Sequence, residues 1–257
     1  MAVFAGTVLV LGTWLVSLLG LVSLGLLPTV CLNRSRSVAP LLRMSLWWGL
    51  LITLIFTALI SLWVPLGGST AALLGIATIA VFGVPGWIAF VRRRPSLQAA
   101  PQIPGRLLLV LTTVAATVYL AVAALGPVTN YDSGLYHLGA IRYASEFEAI
   151  PGLANLYFPF GYGTTHFTLA ALLTNGPWGI EGFRLVNGLI LATAGTDLLL
   201  RLRQHKPDPG FFVLAVGMIA TWVPMVALSD YWVTSPSQDS AALTLTVVAS
   251  AYLTDAV

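Results

Sequence analysis

The chain has 257 residues, of which 58% are hydrophobic and only 8% charged. A soluble domain carries roughly 25% charged residues, so this chain has too few to cover a water-facing surface, and much of that surface must face hydrocarbon. The formal net charge of +3 argues for no nucleic-acid partner, because the basic residues are used to mark topology. The single cysteine, Cys31, excludes an intramolecular disulfide, and no Cys/His cluster has the spacing of a zinc site.

A helix needs about 20 mostly apolar residues to cross a bilayer core. The runs that qualify are 3–27, 44–65, 71–91, 107–126, 184–203 and 210–229, and a seventh begins near Ala241 and is still apolar at Val257, as if the chain were cut inside a helix. The first run lacks a basic leader and is too long for the core of a signal peptide, so it reads as a retained span. Lysine and arginine gather in cytoplasmic loops. Here Arg34, Arg36 and Arg43 follow the first span, Arg92, Arg93, Arg94 and Arg106 the third, and Arg201, Arg203 and Lys206 the fifth. Of the twelve lysines and arginines, only Arg142 and Arg184 fall elsewhere. The N-terminus is then outside, as are 66–70, 127–183 and 230–240. The expected fold class is all-α: a polytopic transmembrane helix bundle of about seven spans, with surface helices in a long external loop. Residues 1–106 form a three-span segment ending in a cytoplasmic linker, and 107–257 a second unit.

Within the spans, the small residues of 71–91 suit close helix packing. Trp47, Trp48 and Trp63 fit an aromatic belt, and Pro85 and Pro224 predict kinks or local breaks. Asp197 lies inside the fifth span and needs a partner. Arg201 at i+4 supplies one, a structural role favoured over a proton relay.

The stretch from Pro127 to about Phe183 is dense in Tyr, Phe, His and Gly, and a loop of that length without structure is unusual unless functional. Asp132 and Ser133 are good N-caps for a helix running to about Phe147, which Pro151-Gly152 stops. On it Asp132, Tyr136, Gly139 and Tyr143 share one side, with Leu138, Ile141 and Ser145 on a neighbouring apolar strip. Such a helix lies on the membrane surface. A second amphipathic element at 165–173 would bring the chain back and roof a shallow cavity.

The stretch NYDSGLYHLGAIRYA, followed by IPGLANLYFPFGYGTTHFTLAALL, resembles the first external loop of bacterial polytopic proteins of the GT-C glycosyltransferase superfamily. It is most similar to a branch with a D-x-x-x-Y-H pattern and a PGLAN segment. The resemblance implies that 107–257 is the start of a catalytic membrane core in the inner (plasma) membrane. That core would move a sugar from a polyprenyl-phosphate carrier to a glycan or lipid acceptor on the outer face. It implies a base or acceptor-orienting role for Asp132 and a second carboxylate at Asp239, with Asp230 nearby. The chain departs from the superfamily in placing three spans before this loop, where one is usual, and in being much shorter than its members.

The chemistry needs a carboxylate to take the acceptor's proton, worth roughly 10²–10⁴ in rate, and a cation or hydrogen-bond donors for the leaving phosphate. Arg142 or Arg184 supplies a bidentate phosphate ligand. His137 and His166 donate hydrogen bonds or, with Asp132, hold a divalent metal, a cofactor left open. Tyr136, Tyr157 and Tyr162 suit stacking on a sugar ring. Plain alternatives stand beside these: Asp132 as a helix cap, the histidines as structural groups, the arginines snorkelling to headgroups, Glu146 and Glu148 as a solvated face, the aromatics as an interfacial belt. Two rival functions also stand: a non-catalytic scaffold in envelope polysaccharide assembly, and a transporter.

Overall fold

A computed structural model describes residues 2–33, 35–97, 105–162, 164–204 and 208–256. Arg34, Lys206 and the linker residues 98–104, on which part of the topology reasoning rests, lie outside the described residues. The chain is all-α, and among the described residues no strand forms beyond a single bridge between Ser37 and Ser96. The helices are α1 (Ala2–Leu32), α2 (Val38–Ile60), α3 (Ser69–Arg93), α4 (Arg106–Ala123), α5 (Leu138–Glu146), α6 (Leu153–Leu156), α7 (Thr165–Leu172), α8 (Val186–Arg201), α9 (Pro209–Ala227), α10 (Ser229–Trp232) and α11 (Gln238–Ala256).

Six helices among the described residues are long and apolar enough to cross a membrane: α1 to α4, α8 with its lead-in turn, and α9. The protein is therefore a multi-pass membrane protein. The expected seventh span is present as a helix, α11, but is not one of the six. Hydroxyls interrupt its apolar run and bond back to its own backbone, as Thr244 does to the Ser240 carbonyl and Ser250 to that of Thr246. It nevertheless packs along α9 and α8 as a member of the bundle. Helices α3 and α9 run unbroken through Pro85 and Pro224.

Small residues decide which helices sit inside. In α8 the stretch GLILATAGT lets neighbours close in, and 78% of its span window is buried, against 11% for the peripheral α3. A Cβ added at Gly188 would lie 2.0 Å from the ring of Trp14, whose indole N–H reaches the Leu185 carbonyl at 3.0 Å. Helices α1 and α2 touch backbone to backbone: a Cβ at Gly49 would meet the Leu21 carbonyl oxygen at 1.8 Å. Close approach through small residues replaces the hydrophobic drive that helices lack in lipid. Because α1 packs on α4 and α8, and α2 on α7 and α8, residues 1–106 are not a body apart from the rest; both segments share two apolar cores.

The loops expected outside gather at one end. Leu66 N–H bonds to the Ala144 carbonyl at 2.9 Å, Ala149 N–H to Ser61 at 2.8 Å and Thr129 N–H to Asp230 at 3.2 Å. At the other end the basic loops meet, with Ser96 N–H on the Arg36 carbonyl at 2.7 Å and Arg93 on the Val30 carbonyl at 2.9 Å. Cys31 is exposed near that end.

Between them, at the inner ends of α2, α8, α9 and α11, lies a buried ion network. Arg201 donates to Asp197 at 3.0 Å and to Asp208 and Asp255 at 2.7 Å each. Arg43 adds a bond to Asp208 at 3.1 Å. Asp197, fully buried, also accepts from Trp47 at 2.6 Å and Tyr252 at 3.0 Å. The pairing of Asp197 with Arg201 thus forms as the spacing predicts. Trp47 serves this carboxylate rather than a headgroup belt.

Candidate active site

The external segment starts with a cap that the sequence reading assigned to the wrong residue. Buried Asn130 turns its Oδ1 to the backbone N–H of Asp132 at 2.9 Å, and Ser133 N–H bonds to the Asn130 carbonyl at 3.1 Å. Asn130 therefore opens the helix, and neither Asp132 nor Ser133 caps it. The Asp132 side chain makes no capping bond and is exposed. Its carboxylate has no hydrogen-bond or ion-pair partner among the described residues.

The next turn is wider than the regular helix that the spacing predicts. Ser133–His137 form a π-helical turn, closed by Leu138 N–H on the Ser133 carbonyl, and such turns are frequent at functional sites. The turn buries Ser133 and His137 together, the His137 side being 3% exposed. The Ser133 hydroxyl lies 3.3 Å from His137 Nδ1 and 2.7 Å from the Ser235 hydroxyl of the second external loop. Beyond it the expected stripe holds. Tyr136 meets Tyr162 edge-on at 5.8 Å, and Gly139 and Tyr143 both face Phe160, with 5.3 Å between the Tyr143 and Phe160 rings.

Helix α7 contributes Phe167, whose ring lies 5.2 Å from that of His137, and buried His166. The second external loop is held over these by Asn187 at the start of α8. Its amide nitrogen donates to the carbonyls of Trp232, Ser235 and Ser237 at 2.9, 2.7 and 3.0 Å. This loop delivers Asp239, exposed in the first turn of α11, with Ser237 donating to its carboxylate at 3.0 Å. The negative charges of Asp132 and Asp239, 107 residues apart in sequence, both act on the same pair of side chains, Tyr136 and His137.

Protonation follows from this placement. Partial burial, then the charges of Asp132 and Asp239, push the Tyr136 hydroxyl up from its ordinary value, so it stays a donor. Burial lowers His137 against the pull of the same two carboxylates. His166 is lowered further, to about 4, by burial and by His137, against the weaker opposing pull of the nearby acceptor oxygens of Asn187 and Pro236. Both histidines are neutral at pH 7. His166 Nε2 and Asn187 Oδ1 are buried without a close partner. Among the described residues no three His, Cys, Asp or Glu side chains converge as a set of metal ligands, and Asp132, His137 and His166 are not gathered as such a set.

The arginines do not join this cluster. Arg142 pairs with Glu146 at 2.8 Å and Arg184 with Glu181, one helical turn away in each case, and Arg184 also donates to the Gly126 carbonyl. Both line a separate hollow of about 460 Å³ behind α5, with Val128, Leu138 and Phe183. Arg142 is on the order of 15 Å along the helix from Asp132 at the usual rise per residue, too far to hold a phosphate leaving a sugar there. Among the described residues, the bonds of both arginines go to these partners and not to Asp132, Tyr136 or His137. Glu148 has no partner among the described residues, and Tyr157 packs edge-on against Phe160 at 5.3 Å.

Asn130, Asn187 and Ser235 are not singled out by the sequence, and Ser133 reads there only as a cap, not as the partner of His137 and Ser235. A π turn leaves no mark in composition. The contacts of Ser235 and Asn187 cross 102 and about 50 residues. Asn130 did offer a signal, since it is a preferred cap two residues ahead of the aspartate. The model of one protein family, described as Domain of unknown function (DUF8201), matches residues 8–256. No curated protein and no solved structure matches the chain.

Proposed function

The chain belongs to that family of unknown function, and within it we propose that this protein is a membrane glycosyltransferase working at the outer end of the bundle. The observation that carries the proposal is the pair of exposed carboxylates, Asp132 and Asp239, carried by separate elements and both acting on Tyr136 and His137. One of them is released from capping by Asn130. The donor is a polyprenyl-phosphate-linked sugar, the acceptor a glycan or lipid, and the location the outer face of the inner (plasma) membrane, with the N-terminus outside.

In the proposed reaction Asp132 takes the proton of an acceptor hydroxyl as its oxygen bonds to the sugar carbon, and the carbon–oxygen bond to the phosphate breaks with its electron pair leaving on phosphate. The protonated Tyr136 hydroxyl donates to that phosphate, a role that falls to it because Arg142 and Arg184 lie elsewhere. Asp239 orients the acceptor. The buried Ser133, Ser235 and His137 chain holds the two external segments in register. A transporter reading draws less support, since Asp197, the fully buried carboxylate of α8, already has Arg201, Trp47 and Tyr252 as partners.

The test is transfer from a polyprenyl-phosphate-linked sugar in proteoliposomes. Product is expected with the unaltered protein, a roughly 10²–10⁴-fold loss for Asp132→Asn and a smaller loss for Asp239→Asn. Transfer unaffected by either substitution overturns the proposal.

A further inference from the structure

A second hollow, of about 450 Å³, lies on the other side of α5, between that helix, α7 and the outer end of α2. Its size is in the range of small-molecule sites, about 300–1,000 Å³. Aromatic rings form its walls: Tyr143 and Phe160, edge-on at 5.3 Å, and Phe167. Phe167 is also the ring against His137 at 5.2 Å, so the hollow shares a wall with the site of Asp132 and Asp239.

Of its polar groups, the hydroxyls of Ser61 and Thr168 are spent on neighbouring oxygens of α2 and α7, while Thr164 and Glu148 are uncommitted. Thr164 occupies the cap position of α7 yet makes no capping bond, and its buried hydroxyl has no partner among the described residues. Leaving a buried hydroxyl unpaired is costly, which points to a ligand or water that completes it. Glu148 stands exposed with its carboxylate free, and among the described residues it is the only charged side chain in the lining, to which no Lys, Arg or His contributes. Flat aromatic faces, an open hydroxyl and one acceptor-only carboxylate suit an uncharged ring bearing many hydroxyls, and the lone negative charge disfavours phosphate. The cationic groups of the outer end sit across α5, in the hollow of Arg142 and Arg184.

We infer that this hollow is a saccharide-binding subsite that seats a hydroxylated ring of a glycan acceptor further along α5 from Asp132, with the Phe167 ring between the hollow and His137. The role as acceptor site rests on the proposed transferase activity; the binding of a neutral sugar ring does not.

The experiment uses the full chain in phosphatidylcholine nanodiscs, with Cys31→Ser and a reporter, Ala149→Cys, on the exposed lining. Maleimide labelling is followed with octyl β-glucoside or octylphosphocholine, which share a tail and differ in headgroup. The glucoside is expected to slow labelling and the phosphocholine to leave it unchanged. Thr164→Val and Glu148→Ala are each expected to raise the glucoside concentration needed by roughly tenfold, with unfolding temperature unaltered. Equal protection by both amphiphiles, protection by neither, or protection that both variants retain in full overturns the subsite. Protection without any transfer from the lipid-linked sugar supports a saccharide site while the transferase proposal fails. Transfer without protection sinks the subsite alone.

Discussion

The protein holds two groups of carboxylates at opposite ends of α8, and they are treated in opposite ways. At the inner end Asp197, Asp208 and Asp255 are bound by Arg201 and Arg43, and Asp197 also takes bonds from Trp47 and Tyr252. At the outer end Asp132 has no partner among the described residues, Asp239 has one hydroxyl, and both are exposed beside neutral histidines. A charge without partners inside a bundle is too costly to keep, so pairing at the inner end holds the fold together. A carboxylate that water can reach needs no partner, and leaving it free at the end of a well-packed helix makes it available for chemistry. The same residue type is structural in one place and, in the proposed transferase, reactive in the other, and the surroundings decide which.

The largest effect should come from breaking the inner network. Arg201→Met strips Asp197 of its nearest cation, and a loss of about 3–5 kcal/mol is expected, read as a large fall in unfolding temperature in detergent. Retained stability would mean that the network is not what joins α8 to α9 and α11. Acid should act next, and at the outer end. His166 is held near 4 in the folded chain against about 6.5 when unfolded, so below 6.5 the unfolded state binds the extra proton. Stability should be flat above pH 6.5 and fall between 6.5 and 4, by on the order of 3 kcal/mol. His166→Phe should remove this slope in melts run across that range. Asn130→Ala should cost about 1 kcal/mol as a lost cap, and should lower transfer by loosening the start of the π turn. Arg142→Ala should be the mildest, within about 0.5 kcal/mol, because its pair with Glu146 is 75% and 42% exposed. A large loss of stability or transfer there would return Arg142 to the reacting centre.

What the sequence made legible was whatever depends on local pattern. Apolar runs located the spans, the alternation of arginines sorted the loops into the two ends they occupy, and the i+4 spacing paired Asp197 with Arg201. The Tyr136, Gly139 and Tyr143 stripe could be read because a helix repeats every few residues. Contacts across long separations could not, so Asn187 holding the second external loop and Ser235 meeting Ser133 went unseen. The arginines are a related case. Being the two exceptions to the charge rule, they drew attention, yet Glu146 and Glu181 lay within one turn to neutralise them. The seventh apolar run does form a helix, α11, which hydroxyls and Asp255 leave less apolar than the six spans and which packs against α8 and α9 in the bundle.

The most direct measurement compares Asp132→Asn with Asp197→Asn, reading unfolding temperature and sugar transfer on each purified variant. Asp132→Asn should lose transfer by 100-fold or more, roughly the contribution of a general base, while melting like the unaltered protein; Asp197→Asn should melt markedly lower. If Asp132→Asn keeps its transfer, or is as destabilised as Asp197→Asn, the division of labour between the two ends is wrong.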